Sequence, residues 1–321
     1  MKAIVYRRYG SPDVLQLEEV EKPSPRDNEG LVQVHASSIN AGDWHMMRGR
    51  PFFLRFLWGL PGPRNTILGA DVAGRVEAVG RGVKQLKPGD EVFGDVSGSG
   101  RGGFAEYVCV AEDGLVRKPA ETSFEAAATV PLAAVVALQG LRDEGEIQPG
   151  QRVVINGASG GVGTFAVQLA KHFGAEVTGV CSTRKLDMVR SIGADHVVDY
   201  TQEDLTTSGQ RYDLILDIAA YRSVSDCTRA LQPNGIYVVV GGSMARIMQA
   251  SFSRGKHTRS LAHRPNQKDL VFLKELLEAG KVMPVIDRRY PLREAAEAFR
   301  YYGEGLVQGK VVITVEHSGG T

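Results

Sequence analysis

The chain has 321 residues, 43% of them hydrophobic and 23% charged, with a formal net charge of +1 and three cysteines. That balance excludes a disordered chain and gives no reason to expect a nucleic-acid or membrane partner. Cys109, Cys181 and Cys227 are too scattered for a disulfide framework, no apolar run is long enough to span a bilayer, and Met1 leads straight into KAIVY without a signal-peptide layout, so the expected location is the cytoplasm.

The first third reads as short strands and turns. KAIVYRRYG and VLQLEEV are strand-like, and EKPSPRDNEG is a loop rich in proline and charge. In LVQVHASSIN, Val32, Val34 and Ala36 alternate on one face of a half-buried strand. AGDWHMMRG reads as a short helix with Asp43 near its start. DVAGRVEAVG is a strand whose glycine implies a bulge or close packing. KPGDEVFG and GGFAEYVCV add two more strands, the second with Cys109 as a small core side chain. Many short strands with glycine turns predict a barrel-like β domain.

Residues 51–68, PFFLRFLWGLPGPRNTIL, interrupt this pattern with Phe52, Phe53, Leu54, Phe56, Leu57, Trp58 and Leu60. Two readings stay open: a packing loop in the core, or an apolar lid over a substrate cleft. On the second, Phe52, Phe53, Phe56 and Trp58 line the substrate pocket.

From Phe124 the texture changes. FEAAATVPLAAVVALQGL is alanine-rich and helical, and QRVVINGASGGVG follows. Val153, Val154 and Ile155 make a buried strand, the glycine-rich turn comes at once, and TFAVQLAKHFGA has helical spacing. Strand, glycine turn and helix together form the context that a dinucleotide-binding fingerprint requires. Ala158 replaces the first glycine of the fingerprint, and Gly160 and Gly163 complete its spacing. The expected cofactor contacts here are Gly157, Ala158, Ser159, Gly160, Gly161, Val162 and Gly163, with phosphates at the helix N-terminus. EVTGV, HVVDY, YDLILDIA and GIYVVVGG then alternate with the helices KLDMVRSIGA and SVSDCTRALQ, which predicts βαβ units and a doubly wound parallel sheet. The tail adds two amphipathic helices, QKDLVFLKELLEAGK and REAAEAFRYYGEG, and a last strand, KVVITV.

The strand EVTGV selects the cofactor. An NAD site places Asp or Glu at its end to hold the ribose 2′-hydroxyl. Here Glu176 stands at the start, and Ser182, Thr183, Arg184 and Lys185 follow the end. Hydroxyls and cations suit a 2′-phosphate, so the expected cofactor is NADP(H). Arg184 and Lys185 could also be an ordinary solvated helix start, although cations there oppose the helix dipole.

With these residues in view, the chain resembles the medium-chain dehydrogenase/reductase superfamily, in its zinc-independent quinone oxidoreductase branch. The resemblance runs through INAGDWHMMRG, LGADVAGRVEAVG, KPGDEVFG, GGFAEYV, NGASGGVGTFAVQLAKHFGAEVTGV, IGADHVVDY, YDLILD, VMPVIDRRYPLREAAEAF and QGKVVITV. It implies an α/β protein with a GroES-like β-barrel catalytic domain over 1–123, a Rossmann NADP(H)-binding domain over 124–262, and a return to the catalytic domain over 263–321. It also implies a homodimer. By position, Asn40 and Asp43 fall in the motif at the nicotinamide end, Tyr200 near the adenine, and Ser182 and Lys185 at the 2′-phosphate. Gly241 and Gly242 fall where nicotinamide contacts occur, and Lys310 near a cofactor contact. Three departures stand out: Val136 replaces a threonine that reaches the cofactor, Ala219-Ala220 replaces Val-Gly, and the 51–66 insertion is long and apolar.

The zinc-dependent branch needs a cysteine where this chain has Ser38-Ile39-Asn40, and Gly-His-Glu where it has Gly69-Ala70-Asp71. No metal is expected, since a tetrahedral site needs clustered ligands. Without such a Lewis acid, reduction of an electron-poor acceptor is favoured over alcohol oxidation. The expected activity is hydride transfer from NADPH to a quinone or α,β-unsaturated carbonyl, with Asn40, Asp43, His45 and Arg48 as cleft-lining catalytic candidates. The alternatives are an NADPH-binding structural or regulatory protein with little turnover, and a zinc-type alcohol dehydrogenase.

Overall fold

The computed structural model describes residues 1–99, 102–241 and 257–317. The chain forms two compact units. One comprises Met1–Leu132, Pro265–Glu278 and Ile286–Thr321; the other comprises Ala133–Arg264 and Ala279–Val285. These limits differ from those expected at 123 and 262. The helix α3 (Phe124–Ala127) packs on strands of the first unit, which carries that unit on to Leu132. Residues 279–285 stay with the second unit because the Gln168 side chain holds both the N–H (2.7 Å) and the carbonyl (2.9 Å) of Met283.

In the first unit β1 (Lys2–Val5) and β2 (Gln16–Glu19) form an antiparallel hairpin. The spine is β3 (Glu29–Ser38), ten residues long. One edge of β3 pairs with β4 (Asp71–Val79), with register shifts at Leu31/Val32 and Val34/Ala36. The other edge is shared: Glu29–Gln33 pair with β6 (Tyr107–Ala111), and Ala36–Ser38 with β15 (Lys310–Thr314). Irregular pairing of this kind bends a strand and raises its twist, which lets one strand serve two partners on one edge. β5 (Glu91–Asp95) and β7 (Leu115–Arg117) extend the sheet beyond β4, and β14 (Ile286–Pro291) runs parallel to β15. Gly74 answers to close packing: a Cβ there would lie 2.0 Å from the Gln33 carbonyl oxygen. Around this sheet lie α1 (Ala41–Arg48), α2 (Arg55–Trp58), α8 (Gln267–Glu278) and α9 (Ala295–Gly303). Val32, Val34, Val72, Phe104, Phe299 and Ile313 are among its buried core. Cys109 departs from expectation. Val108 and Val110 take the buried face of β6 and leave Cys109 half-buried on the other.

The second unit begins at Ala133, within α4 (Pro131–Gln139). The alanine-rich stretch is therefore two helices, because Pro131 suits a helix start and cannot continue one. Its sheet is entirely parallel. β8 (Arg152–Asn156), β9 (Glu176–Cys181), β10 (His196–Asp199), β11 (Tyr212–Asp217), β12 (Leu231–Val239) and β13 (Thr258–Ser260) run in the order β10-β9-β8-β11-β12-β13. Helices α5 (Gly161–His172), α6 (Leu186–Ser191) and α7 (Val224–Arg229) connect them. This is the 3-2-1-4-5-6 order of a doubly wound sheet, whose ligands lie at the carboxyl ends of the strands where the order reverses, between β8 and β11.

Candidate functional site: a phosphate cradle and a buried lysine network

The cradle begins where β8 ends. Gly157 adopts φ +88°, a conformation that only glycine takes without strain, and so turns the chain away from the sheet. The N–H groups of Gly157 and Ala158 both donate to the Val180 carbonyl, at 3.1 and 3.0 Å, which ties the turn to β9. Ala158 is fully buried and Ser159 nearly so. Gly160 is the N-cap of α5, and the space beside it is open: a Cβ would meet nothing nearer than the Gly157 oxygen at 3.6 Å. At Gly163 a Cβ would lie 2.1 Å from that same oxygen, so only glycine lets α5 pack on its own turn. Gly161, Val162 and Gly163 form the first turn of α5, where amide N–H groups lack intrahelical acceptors and favour an anion.

The carboxyl end of β9 carries no acid, as read from the sequence, but the neighbouring strand supplies one. Asp199 closes β10 in register with Cys181. It accepts hydrogen bonds from the Thr183 hydroxyl and from the Thr201 hydroxyl (2.7 Å) and N–H (3.0 Å). These bonds, Thr183's foremost, hold the Asp199 carboxyl below its ordinary pKa. The Thr183 hydroxyl, expected at the 2′-phosphate, is here bonded to Asp199. Ser182 is half-buried, Arg184 exposed and Lys185 half-buried at this strand end. Tyr200 is 53% exposed. A Cβ on Gly241 would lie 2.6 Å from the Ile218 oxygen, so that loop lies close against the one after β11; Gly242 lies outside the described residues.

Sequence reasoning missed the residue that fixes the switch point, Asp217, fully buried at the end of β11. Its Oδ1 accepts from Asn156 Nδ2 and from the Ala220 N–H, both at 2.7 Å, and its Oδ2 from the Tyr237 hydroxyl at 2.6 Å. Burial and this carboxylate push the Tyr237 pKa up, so the phenol remains a donor. One carboxylate therefore pins the residue before the glycine turn and the loop facing it. The one sequence signal was its place, the last residue of YDLILD at a carboxyl strand end.

The first unit holds a second cluster. Lys310, 2% exposed, donates from Nζ to Asn40 Oδ1 (2.6 Å) and to Asp71 Oδ2 (3.3 Å). Asp71, fully buried, also accepts from Ser38 Oγ (2.7 Å) and Asn40 Nδ2 (2.8 Å) on Oδ2, and from the Leu132 N–H (2.8 Å) on Oδ1. Asp43 is buried too; it accepts from the Asn40 N–H (3.0 Å) and the Gly69 N–H (3.2 Å), which fastens the start of α1 to the loop before β4. Asn40, Asp43 and Lys310, expected at the nicotinamide end, are all buried and hydrogen-bonded within this cluster. Their polar atoms serve one another, because each would cost several kcal/mol if buried without a partner. Of the four catalytic candidates, His45 is exposed and Arg48 half-buried, its guanidinium 5.1 Å from the centre of the Trp44 ring. Phe52, Phe53 and Phe56 are exposed and Trp58 packs on the core.

Residues 26–120 match the alcohol dehydrogenase GroES-like domain, and residues 192–313 match the zinc-binding dehydrogenase family. A chloroplast envelope quinone oxidoreductase homolog of Arabidopsis thaliana is 34% identical over 98% of both chains. An NADPH-dependent alkenal/one oxidoreductase of the same plant is 35% identical over 98% of this chain and 79% of its own. The solved quinone oxidoreductase of Coxiella burnetii superposes with a TM-score of 0.89 at 31% identity, covering 98% of this chain and 99% of that one. The chain belongs to the medium-chain dehydrogenase/reductase superfamily, among the quinone oxidoreductases.

Within that superfamily the first unit is the GroES-like part and the second the Rossmann-like part. The zinc in one family's description does not fit the donors of this chain. The Asp71 carboxylate is occupied by the Lys310 ammonium and three further donors. Burial foremost pushes the thiols of Cys109 and Cys181 up to about 11 and that of Cys227 to about 12. Among the described residues no group of three or more His, Cys, Asp or Glu could hold an ion. The dinucleotide cradle, by contrast, has the glycine spacing, the open face at Gly160 and the free helix start that a pyrophosphate needs.

Proposed function

We propose that this protein is an NADPH-dependent reductase that delivers a hydride to a quinone or an α,β-unsaturated carbonyl without zinc. The observation that carries the reading is the cradle of Gly157–Gly163 beside a β9 end that has no acid and is followed by Ser182, Arg184 and Lys185. Reduced nicotinamide supplies the hydride when bound. The chain binds and orients it. The α5 N-terminus takes the pyrophosphate, Ser182, Arg184 and Lys185 take the 2′-phosphate, and the exposed Tyr200 ring flanks the adenine. Asp217 holds the two loops at the switch point. In the first unit the Lys310–Asp71–Asn40 network fixes α1, from which His45 and Arg48 keep solvent access to steady a developing oxyanion. A conjugated acceptor spreads the negative charge it gains, so it needs less assistance than an unactivated ketone. The names of the relatives, a quinone oxidoreductase and an alkenal/one oxidoreductase, support the same substrate class. A homodimer is also proposed, joined along the outer edge of β13, the terminal strand of the parallel sheet.

The cofactor assignment is tested by Arg184→Ala/Lys185→Ala. Losing charge-assisted bonds to a phosphate costs roughly 1.5–3 kcal/mol, so NADPH affinity falls by about 10- to 100-fold while NADH affinity stays within about twofold. Equal losses for both nucleotides refute the 2′-phosphate role.

A further inference from the structure

The segment between α1 and β4 turns its apolar face outward. Phe52–Leu54 makes a single tight turn, and α2 continues it. Phe52, Phe53, Phe56 and Leu57 fall at i, i+1, i+4 and i+5, one stripe of a helical surface, and Leu60 follows beyond the turn at Gly59. In a globular protein such a stripe faces the core. Here the five are 62%, 48%, 66%, 69% and 50% exposed. The opposite face points inward. Trp58 packs on the core, and the Arg55 guanidinium lies 4.5 Å from the centre of the Tyr9 ring while its Nε donates to the Gly49 carbonyl (3.0 Å). Further bonds fix the platform, from the Tyr9 hydroxyl to the Gly59 carbonyl (2.9 Å) and from the Arg64 N–H to the Trp58 carbonyl (2.7 Å).

The charge within this segment has one sign. Between Asp43 and Asp71 the sequence holds no carboxylate, but it holds Arg48, Arg50, Arg55 and Arg64, of which Arg50 and Arg64 are exposed. A second copy of this chain seated face to face would set these arginines against their own duplicates. A partner that is apolar at depth and anionic at its surface suits both features. We infer that residues 50–64 form a peripheral membrane-docking platform, with the phenylalanines and leucines entering the acyl boundary of a bilayer and Arg50 and Arg64 meeting acidic phospholipid headgroups. The inference stands on local geometry and is independent of the reductase reading. The overall charge of +1 concealed it, because the excess is confined to one segment.

The test is co-sedimentation of the full chain with vesicles of phosphatidylcholine alone, and of phosphatidylcholine with about a third phosphatidylserine. Binding is expected to the serine-containing vesicles, at least about tenfold tighter than to phosphatidylcholine, and to weaken as salt is raised. Phe52→Ser/Phe56→Ser/Leu57→Ser abolishes it, and Arg50→Gln/Arg64→Gln weakens it by about fivefold per charge removed. NADPH binding by fluorescence and the melting temperature report folding. If the triple variant does not fold, the arginine variant decides alone. No binding to either vesicle, or equal binding to both, overturns the inference. Self-association that the triple variant abolishes overturns it in favour of a second copy.

Discussion

Ala220 sits at φ +46°, in the left-handed region that residues with a Cβ avoid, and Asp217 holds it there through the Ala220 N–H. Glycine relieves that strain at the cost of a more flexible unfolded chain, so Ala220→Gly gains about 1 kcal/mol, measured by denaturant melts. The Ala219-Ala220 departure from Val-Gly is thus a real local cost. Lys310 supports the opposite prediction. Lys310→Met leaves Asp71 buried without its cation and loses about 3–5 kcal/mol, while Lys310→Met/Asp71→Leu recovers part of that loss. Asp199 sets a pH dependence. Its folded pKa is depressed by the Thr183 and Thr201 bonds, so its contribution is complete above the unfolded value of about 4 and disappears as pH falls through the folded value. Asp199→Asn therefore destabilises at pH 7, and its difference from the parent protein shrinks to nothing in acid.

At the scale of elements, the β8–turn–α5 unit is the most sensitive. Gly163→Val pushes a side chain into the Gly157 carbonyl, forces α5 off its turn, and weakens NADPH about 100-fold in a fluorescence titration. This unit was legible in the sequence because its signals are local: a buried run, glycines at fixed spacing, then a helical period. The parallel sheet was legible for the same reason. The Lys310–Asp71–Asn40 network was not, since it gathers residues from the start of α1, from β4 and from β15, and nothing local marks a lysine at a strand start as buried. Asp217 was missed similarly, because Asn156 and Tyr237 lie on neighbouring strands, and Asp199 because Thr183 reaches it from the turn after β9. The 51–60 stretch was legible as apolar, but a pattern of spacing does not say which face turns inward. Here Arg55 on the Tyr9 ring, and not the phenylalanines, took the inner face.

For the whole molecule, the two units keep separate kinds of work: a cradle preorganised by glycines and Asp217, and a scaffold in which the buried Lys310 is held by Asp71 and Asn40. The proposed reaction is metal-free reduction of a conjugated acceptor. The most direct measurement is anaerobic NADPH oxidation by the chelator-dialysed protein, comparing a quinone or enone with the saturated ketone of the same carbon skeleton. The conjugated acceptor is expected to be reduced at the same rate before and after chelation, and the saturated ketone not at all. Turnover of the saturated ketone, or activity lost on chelation and restored by zinc, would refute metal-free reduction.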